Sequence, residues 1–499
     1  MMNELSNFSG ELLQSLSLFW PETTLVITFL ITLFADLLSR HKNRLAGYIT
    51  LAGLIVTGLL LLSQQGVAQT TFSGLLTVDP FSFFMRVTIL LSAILVVLFS
   101  FSSKELVEGP FRLGEYYMLI TGLVFGMFLL SGASNLIFIY LSIEVMSISS
   151  YILSGYTKHS KRASEASMKY VIYGAVSSGI MVYGMTMMFG LTGTLNLNEI
   201  GMALQTKPVQ TMPLLLANLM ILVGFSYKIS AVPFHYWTPD VYEGAPITVT
   251  ALLSVASKAA GFAVILRYFH SALTNGGELW QVIGQIDWHF VISVLAVLTM
   301  TVGNLVALWQ NNMKRMLAYS SIAHAGYLLM AVAVLNNTGM AAVLIYFFIY
   351  MLMNLGAFYI VQLVADKTGS EDMEDYVGLG YRSPLIGVAL TLFLVSLTGL
   401  PPTAGFIGKL YVFTAVVKAG YVWLAIIGVL NSVVSLYYYV RVVRNMYLRD
   451  VESQGEKIVF SRPVLTLVLL LAIPTLILGL YFGPLADWAS ASMAFVTGH

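Results

Sequence analysis

The chain has 499 residues, 58% hydrophobic and 10% charged, with a mean hydropathy of +0.83 and a formal net charge of +1. No soluble domain requires that much apolar surface, so an all-α polytopic membrane protein is expected, and the period-two alternation of a membrane β-barrel is absent. The net charge of +1 says nothing by itself about nucleic-acid or acidic partners, no nucleic-acid partner being expected, and the lack of cysteine excludes four-thiolate iron–sulfur ligation and disulfides within the chain.

The first sixteen residues lack a basic stretch ahead of an apolar core, so no cleavable signal peptide is expected. About fourteen apolar runs long enough to cross a bilayer then follow. They lie at 16–38, 46–63, 80–102, 114–131, 134–155, 168–192, 212–232, 245–269, 287–309, 316–334, 339–365, 384–418, 420–445 and 464–482. The seventh runs into Pro233, and Pro401 and Pro402 split the twelfth between Gly399 and Gly405, so two broken helices are expected. Broken backbone at membrane depth persists only where protein or a wet cavity surrounds it. Connections after the odd-numbered spans 1, 3, 5, 9, 11 and 13 hold 17 of the 25 Lys and Arg, including Arg40, Lys42, Arg44, Lys314 and Arg315; the opposite side holds Lys207 and Lys418. The excess predicts that those connections are cytoplasmic and that both termini face away from the cytoplasm.

Four charges fall inside apolar runs: Glu144, Lys228, Lys258 and Lys409. At roughly 2.5–3.5 kcal/mol each, they are costly unless they pair or meet water, and intramembrane ionisable groups mark ion pathways by default. Tyr140, Glu144, Ser147 and Tyr151 lie on one face of the fifth span. Lys228 precedes Pro233 by five residues; a lysine there either snorkels to the interface or, if desolvated, gives up its proton readily. Lys258, with Ser254 and Gly261 on its face, is about twelve residues from either end of its span, too far to snorkel. Lys409 follows the proline break, where a hydrated pocket is expected. His324, with Ser320 and Tyr327 on its face, suits proton exchange, whereas metal binding is disfavoured because no cysteine or second histidine stands at ligand spacing.

His324 follows Glu144 by 180 residues and Lys409 follows Lys228 by 181, five spans later in each case. An odd number of spans reverses orientation, so two inverted five-helix repeats are expected. The chain then divides into an N-terminal group at 1–113, a first repeat at 114–270, a second at 287–445 and a C-terminal helix within 446–499. There is no G-x-x-x-x-G-K-[ST] phosphate loop and no G-x-G-x-x-G after a strand, so neither ATP nor a dinucleotide is expected to bind.

The stretch Pro233-Phe-His-Tyr-Trp-Thr-Pro-Asp-Val-Tyr-Glu-Gly-Ala-Pro246 resembles the signature of the antiporter-like membrane subunits of proton-pumping NADH–quinone oxidoreductase, respiratory complex I. Ser164-Glu-Ala-Ser-Met-Lys-Tyr170 and Lys314-Arg-Met-Leu-Ala-Tyr-Ser-Ser321 extend the resemblance over the whole chain. Among the bacterial branches L, M and N, the TPDVYEGAP wording and a lysine at 409 are most similar to N; L would add a long C-terminal extension. The resemblance implies a translocase subunit moving protons through Glu144 and Lys228 as a coupled pair, Lys258 and His324 as a relay and Lys409 at the exit. It implies no cofactor in this chain, with NAD, FMN, iron–sulfur clusters and quinone in partner subunits. Subunit M and small membrane subunits are the expected partners, in a bacterial inner membrane. Components of multi-subunit cation/proton antiporters share the resemblance and supply the alternative.

Overall fold

A computed structural model of the chain describes residues 2–38, 44–109, 112–206, 209–274, 280–449 and 457–493. Arg40, Lys42 and Lys207 lie outside the described residues. Twelve helices among the described residues are long and apolar enough to cross a membrane, and they match all the predicted spans except the tenth and twelfth. The tenth is the helix Met313–Val332, whose Lys314, Arg315 and His324 dilute its apolar character. The twelfth is two helices, Pro384–Thr398 and Ala404–Lys418, divided where the two prolines predicted a break. The seventh ends as expected, with Thr211–Ile229 followed by turns and the short helix Trp237–Gly244.

Three features escaped the sequence. The first span begins at Trp20 rather than 16, because a separate helix, Met2–Leu18, precedes it. A small antiparallel hairpin pairs Gln69–Thr71 with Leu76–Val78. The sixth and eleventh spans are longer than their apolar cores, Lys161–Thr192 and Asn337–Thr368, each 32 residues. Their polar ends continue the helix because nothing breaks it before Gly193 and Gly369, which cap both in the left-handed region at φ 79° and 76°.

The eighth span, Ile247–Leu273, is enclosed by protein along its whole length, and the eleventh nearly so. The first and last spans are mostly exposed, so the interior lies around spans eight, ten and eleven. The eighth contains a π turn at Leu253–Ser257, immediately before Lys258, and another at Phe269–Leu273. Such turns shift the phase of the helix that follows and occur often at functional positions.

Matching contacts recur at a spacing of 176 or 177 residues. Asn135 bridges to Asn196 around the fifth and sixth spans, and Asn312 bridges to Asp372 around the tenth and eleventh. A Cβ at Gly126 would meet the Met146 backbone nitrogen at 2.7 Å, and one at Gly303 would meet that of Ala323 at 2.6 Å. Both glycines therefore let neighbouring helices approach closely in the same register. In that register Glu144 corresponds to Ser321, and Ser147 to His324. The 180-residue match of Glu144 to His324 is off by about one turn, because it aligned ionisable side chains rather than backbone contacts.

Candidate functional site

The fifth span, Leu136–Ser154, turns its polar face to side chains of the sixth and seventh. Glu144 Oε1 accepts a hydrogen bond from Ser178 Oγ at 2.6 Å. Lys228 is buried in the last turn of Thr211–Ile229 and donates from Nζ to Ser147 Oγ at 3.1 Å, so it does not snorkel. The lysine thus reaches the acid's helix one turn beyond Glu144, while Glu144 itself bonds to the sixth span, and the two are not ion-paired. Ser230, at φ 63°, ends the lysine's helix. The backbone freed by this break is satisfied: Thr299 accepts from Val232 N–H at 3.0 Å, and the Tyr227 carbonyl accepts from Trp237 Nε1 at 3.0 Å.

Gly261, one turn beyond Lys258, lies against the Lys228 stem, since a Cβ there would stand 3.7 Å from Lys228 Cγ. Lys258 Nζ crosses to the tenth span and donates to the Ser321 carbonyl at 2.8 Å and to Ser321 Oγ at 2.7 Å. Ser254 Oγ, one turn before the lysine, accepts from Asn354 of the eleventh span at 2.6 Å.

Ser320, Ser321, His324 and Tyr327 form one face of the tenth span, between Lys258 and Lys409. His324 Nδ1 meets Tyr346 OH at 2.6 Å and Nε2 meets Tyr439 OH at 3.4 Å; Tyr439 also bonds Ser320 Oγ. Tyr327 accepts from Asn304 at 3.1 Å and holds its ring under the Lys409 ammonium, 4.5 Å from the centroid. Lys409 Nζ donates to the Thr398 carbonyl at 2.7 Å and to Ser432 Oγ at 2.8 Å. That carbonyl belongs to the C-terminal turn of Pro384–Thr398, the negative end of a helix dipole, so the break provides both an unpaired acceptor and a favourable field. Gly399, at φ +88°, makes room: a Cβ there would stand 2.6 Å from Lys409 Cδ. Beside the lysine is a recess of about 300 Å³, with Thr398, Lys409 and Ser432 among mainly apolar walls such as Leu400, Phe406 and Val433.

All five expected residues therefore lie in the interior or on its edge, and their partners include hydroxyls that sequence reasoning did not single out: Ser178, Ser321, Tyr346, Tyr439 and Ser432. Their signal was weak, because a serine or tyrosine in a helix has no default role. A charged network at the face carrying the basic loops was also missed. Asp240 accepts from Lys169 at 2.6 Å and Arg315 at 2.7 Å, Glu243 accepts from Arg315 at 2.8 Å, and Lys314 reaches Glu371 at 2.8 Å. Burial pushes the Asp240 carboxyl up, but the hydrogen bonds from Lys169 and Arg315 outweigh it and hold the carboxyl below its ordinary value. Asp240 and Glu243 are the acids of the PDVYEGAP stretch, and Lys314 and Arg315 open the KRMLAYSS stretch.

Broken helices carrying buried lysines, with polar side chains on the spans between them, define a membrane-embedded antiporter-like subunit. A model of the family described as NADH:quinone oxidoreductase/Mrp antiporter, transmembrane, matches residues 133–435, and the chain belongs to this family. The chain is 46% identical to NADH-quinone oxidoreductase subunit N 2 of Chloroherpeton thalassium, over 99% of this chain and 97% of that one. It is similar to a chain of respiratory complex I from Thermus thermophilus, with 28% identity, a TM-score of 0.78 and coverage of 94% and 99%. A chain of the Mrp complex from Dietzia shares the fold, with 20% identity, a TM-score of 0.81 and coverage of 97% and 98%. Among the described residues no group of three or more His, Asp or Glu is placed to hold a metal ion.

Proposed function

We propose that this chain is the N-type proton-translocating subunit in the membrane arm of a bacterial NADH–quinone oxidoreductase. The observation that carries the reading is the tenth-span face of Ser320, Ser321, His324 and Tyr327, bonded to Lys258 at one end and stacked on Lys409 at the other. Lys228 loads from one side of the membrane while Glu144 holds its charge. When the pair separates, the proton moves to Lys258, along the hydroxyls and His324, and reaches Lys409 at the second break. An ion pair about 4 Å apart is worth roughly 4 kcal/mol at an effective dielectric near 20, so closing and opening the Glu144–Lys228 gap is enough to load and unload the lysine.

The 176–177-residue register supports two inverted five-helix repeats at 114–270 and 287–445, flanked by 1–113 and 446–499. The basic connections support an orientation with both termini outside the cytoplasm, and the bacterial relatives favour an inner-membrane location. NAD, FMN, iron–sulfur clusters and quinone belong to partner subunits in this reading, and subunit M and small membrane subunits are the neighbours. Substituting Glu144→Ala or Lys228→Met should abolish proton translocation in membrane vesicles while the complex still assembles; full translocation by either variant would defeat the proposal. The second reading, a component of a multi-subunit cation/proton antiporter, is favoured by the shared Mrp fold. It requires Na⁺/H⁺ exchange without NADH oxidation, which the same vesicles measure.

A further inference from the structure

Two buried ion pairs lie at the face opposite the basic loops, and the relay uses neither. Glu22 of the first span pairs with Arg86 of the third at 2.9 Å, both fully buried. Arg86 also donates to Gln64 at 2.9 Å and to Ser131 Oγ at 3.3 Å. Asp79 caps the third span by accepting from Ser82 N–H at 2.7 Å, and it receives Arg267 of the eighth span as a fork, Nη1 at 2.8 Å and Nη2 at 3.0 Å. Arg267 reaches the Ser131 carbonyl at 3.4 Å, so Ser131 lies between the two guanidinium groups. The charged or titratable neighbours of Arg267 include Asp79, Arg86 and His270.

Buried ion pairs are weak sources of stability, because desolvation offsets attraction; their best-attested use is to fix register. The register at issue here is that of the eighth span. The π turn at Leu253–Ser257 shifts the phase of Lys258–Tyr268 relative to that of Ile247–Leu252. Lys258 turns with the 11-residue helix that it begins. Arg267 is the second-last residue of that helix. Nine residues make about two and a half turns and roughly 13.5 Å of rise, so the two cations point to opposite sides of one rigid segment. One side is held to Asp79, and the other meets Ser321.

We propose that Asp79 and Arg267 are positioning residues for Lys258: their two-bond fork, backed by the Glu22–Arg86 pair, sets the rotation and depth at which Lys258 Nζ meets Ser321. The inference rests on Lys258 being a relay group. His324 is the charged or titratable neighbour of Lys258 on the tenth span.

The test measures protons moved per NADH oxidised, and its pH profile, in vesicles carrying the assembled complex. Asp79→Asn should lower the ratio severalfold and displace the profile, and Asp79→Glu should restore much of both. Ser321→Ala removes the Oγ bond and leaves the carbonyl one, so adding it to Asp79→Asn should cost less than it costs the wild type, because both weaken the same Lys258–Ser321 meeting, whereas unrelated damage would multiply. Should Asp79→Asn fail to assemble, Arg267→Lys keeps the charge but loses the fork and should displace the profile in the same way. A wild-type ratio and profile in assembled Asp79→Asn or Arg267→Lys, or multiplicative losses in the double variant, overturns the clamp. Lys258→Met in parallel separates the two ideas: normal pumping there sinks the relay itself, whereas lost pumping beside unaffected Asp79 and Arg267 variants sinks only the clamp.

Discussion

Lys409 is the position where relay and scaffold roles separate most cleanly. Replacing it with methionine removes donations to the Thr398 carbonyl and Ser432 Oγ and the contact with the Tyr327 ring. Hydrogen bonds from a charged donor are worth about 1.5–3 kcal/mol each, and a cation over an aromatic ring about 0.5–2. Against that loss stands the desolvation of a buried ammonium, several kcal/mol, which the methionine does not incur. No acceptor is orphaned either, since Ser432 Oγ donates to the Thr398 carbonyl at 3.0 Å. Methionine also nearly conserves volume, so the net cost should stay below about 1.5 kcal/mol. Assembly should therefore survive while proton translocation falls at least about tenfold. Lys409→Arg sharpens the reasoning, because arginine keeps the positive charge but does not give up its proton in a protein. The assay is NADH-driven acidification of vesicles, normalised to assembled complex on a native gel. Wild-type proton-to-electron ratios with arginine at 409 would refute a proton-carrying role and leave an electrostatic one.

Other outcomes follow from individual contacts. His324→Gln retains a hydrogen-bonding group for the Tyr346 and Tyr439 hydroxyls, so it should assemble normally yet pump severalfold more slowly, whereas His324→Ala should also lower thermal stability by about 1–3 kcal/mol through unpaired buried hydroxyls. Because the folded Asp240 carboxyl lies below its ordinary 3.8, its pairs contribute fully above that pH and are lost as pH falls through the folded value. Acid unfolding of Asp240→Asn should therefore lack this component, and a two-state acid titration identical to wild type would contradict it. The neutral-pH cost of that substitution should be only about 1 kcal/mol. Its pairs are partly exposed, and Arg315 and Lys169 keep Glu243 and Glu165. Lys314→Met should cost more, about 1–3 kcal/mol in the thermal transition, because Lys314 is buried and its loss orphans the Ala245 carbonyl, while the partly exposed Glu371 keeps its bond from Asn312.

Much of the membrane architecture was legible from one dimension. A bilayer demands long apolar helices, so composition alone identified twelve of the spans. Proline and glycine chemistry located both breaks, at 233 and at 401–402, because a missing donor interrupts a helix wherever it occurs. The cost of burying charge singled out Glu144, Lys228, Lys258 and Lys409 before any packing was known. Burial of Arg86 and Arg267 was not evident in this way, since a cation near a helix end is as readily placed in headgroups as in a protein interior. Only the convergence of Glu22, Asp79 and Ser131 from separate spans decided it.

The amino-acid order by itself determined which segments cross the membrane, where two of them break and which charges they carry inside, because these depend on local hydropathy and backbone chemistry. The tertiary structure alone decided that Lys258 meets Ser321, that Lys409 caps the broken helix ahead of it, and that Glu144 and Lys228 stand apart on separate serines. Those contacts join residues 11 to 81 positions apart, and they depend on helix rotation, which a π turn or a close glycine contact resets without leaving a mark in hydropathy.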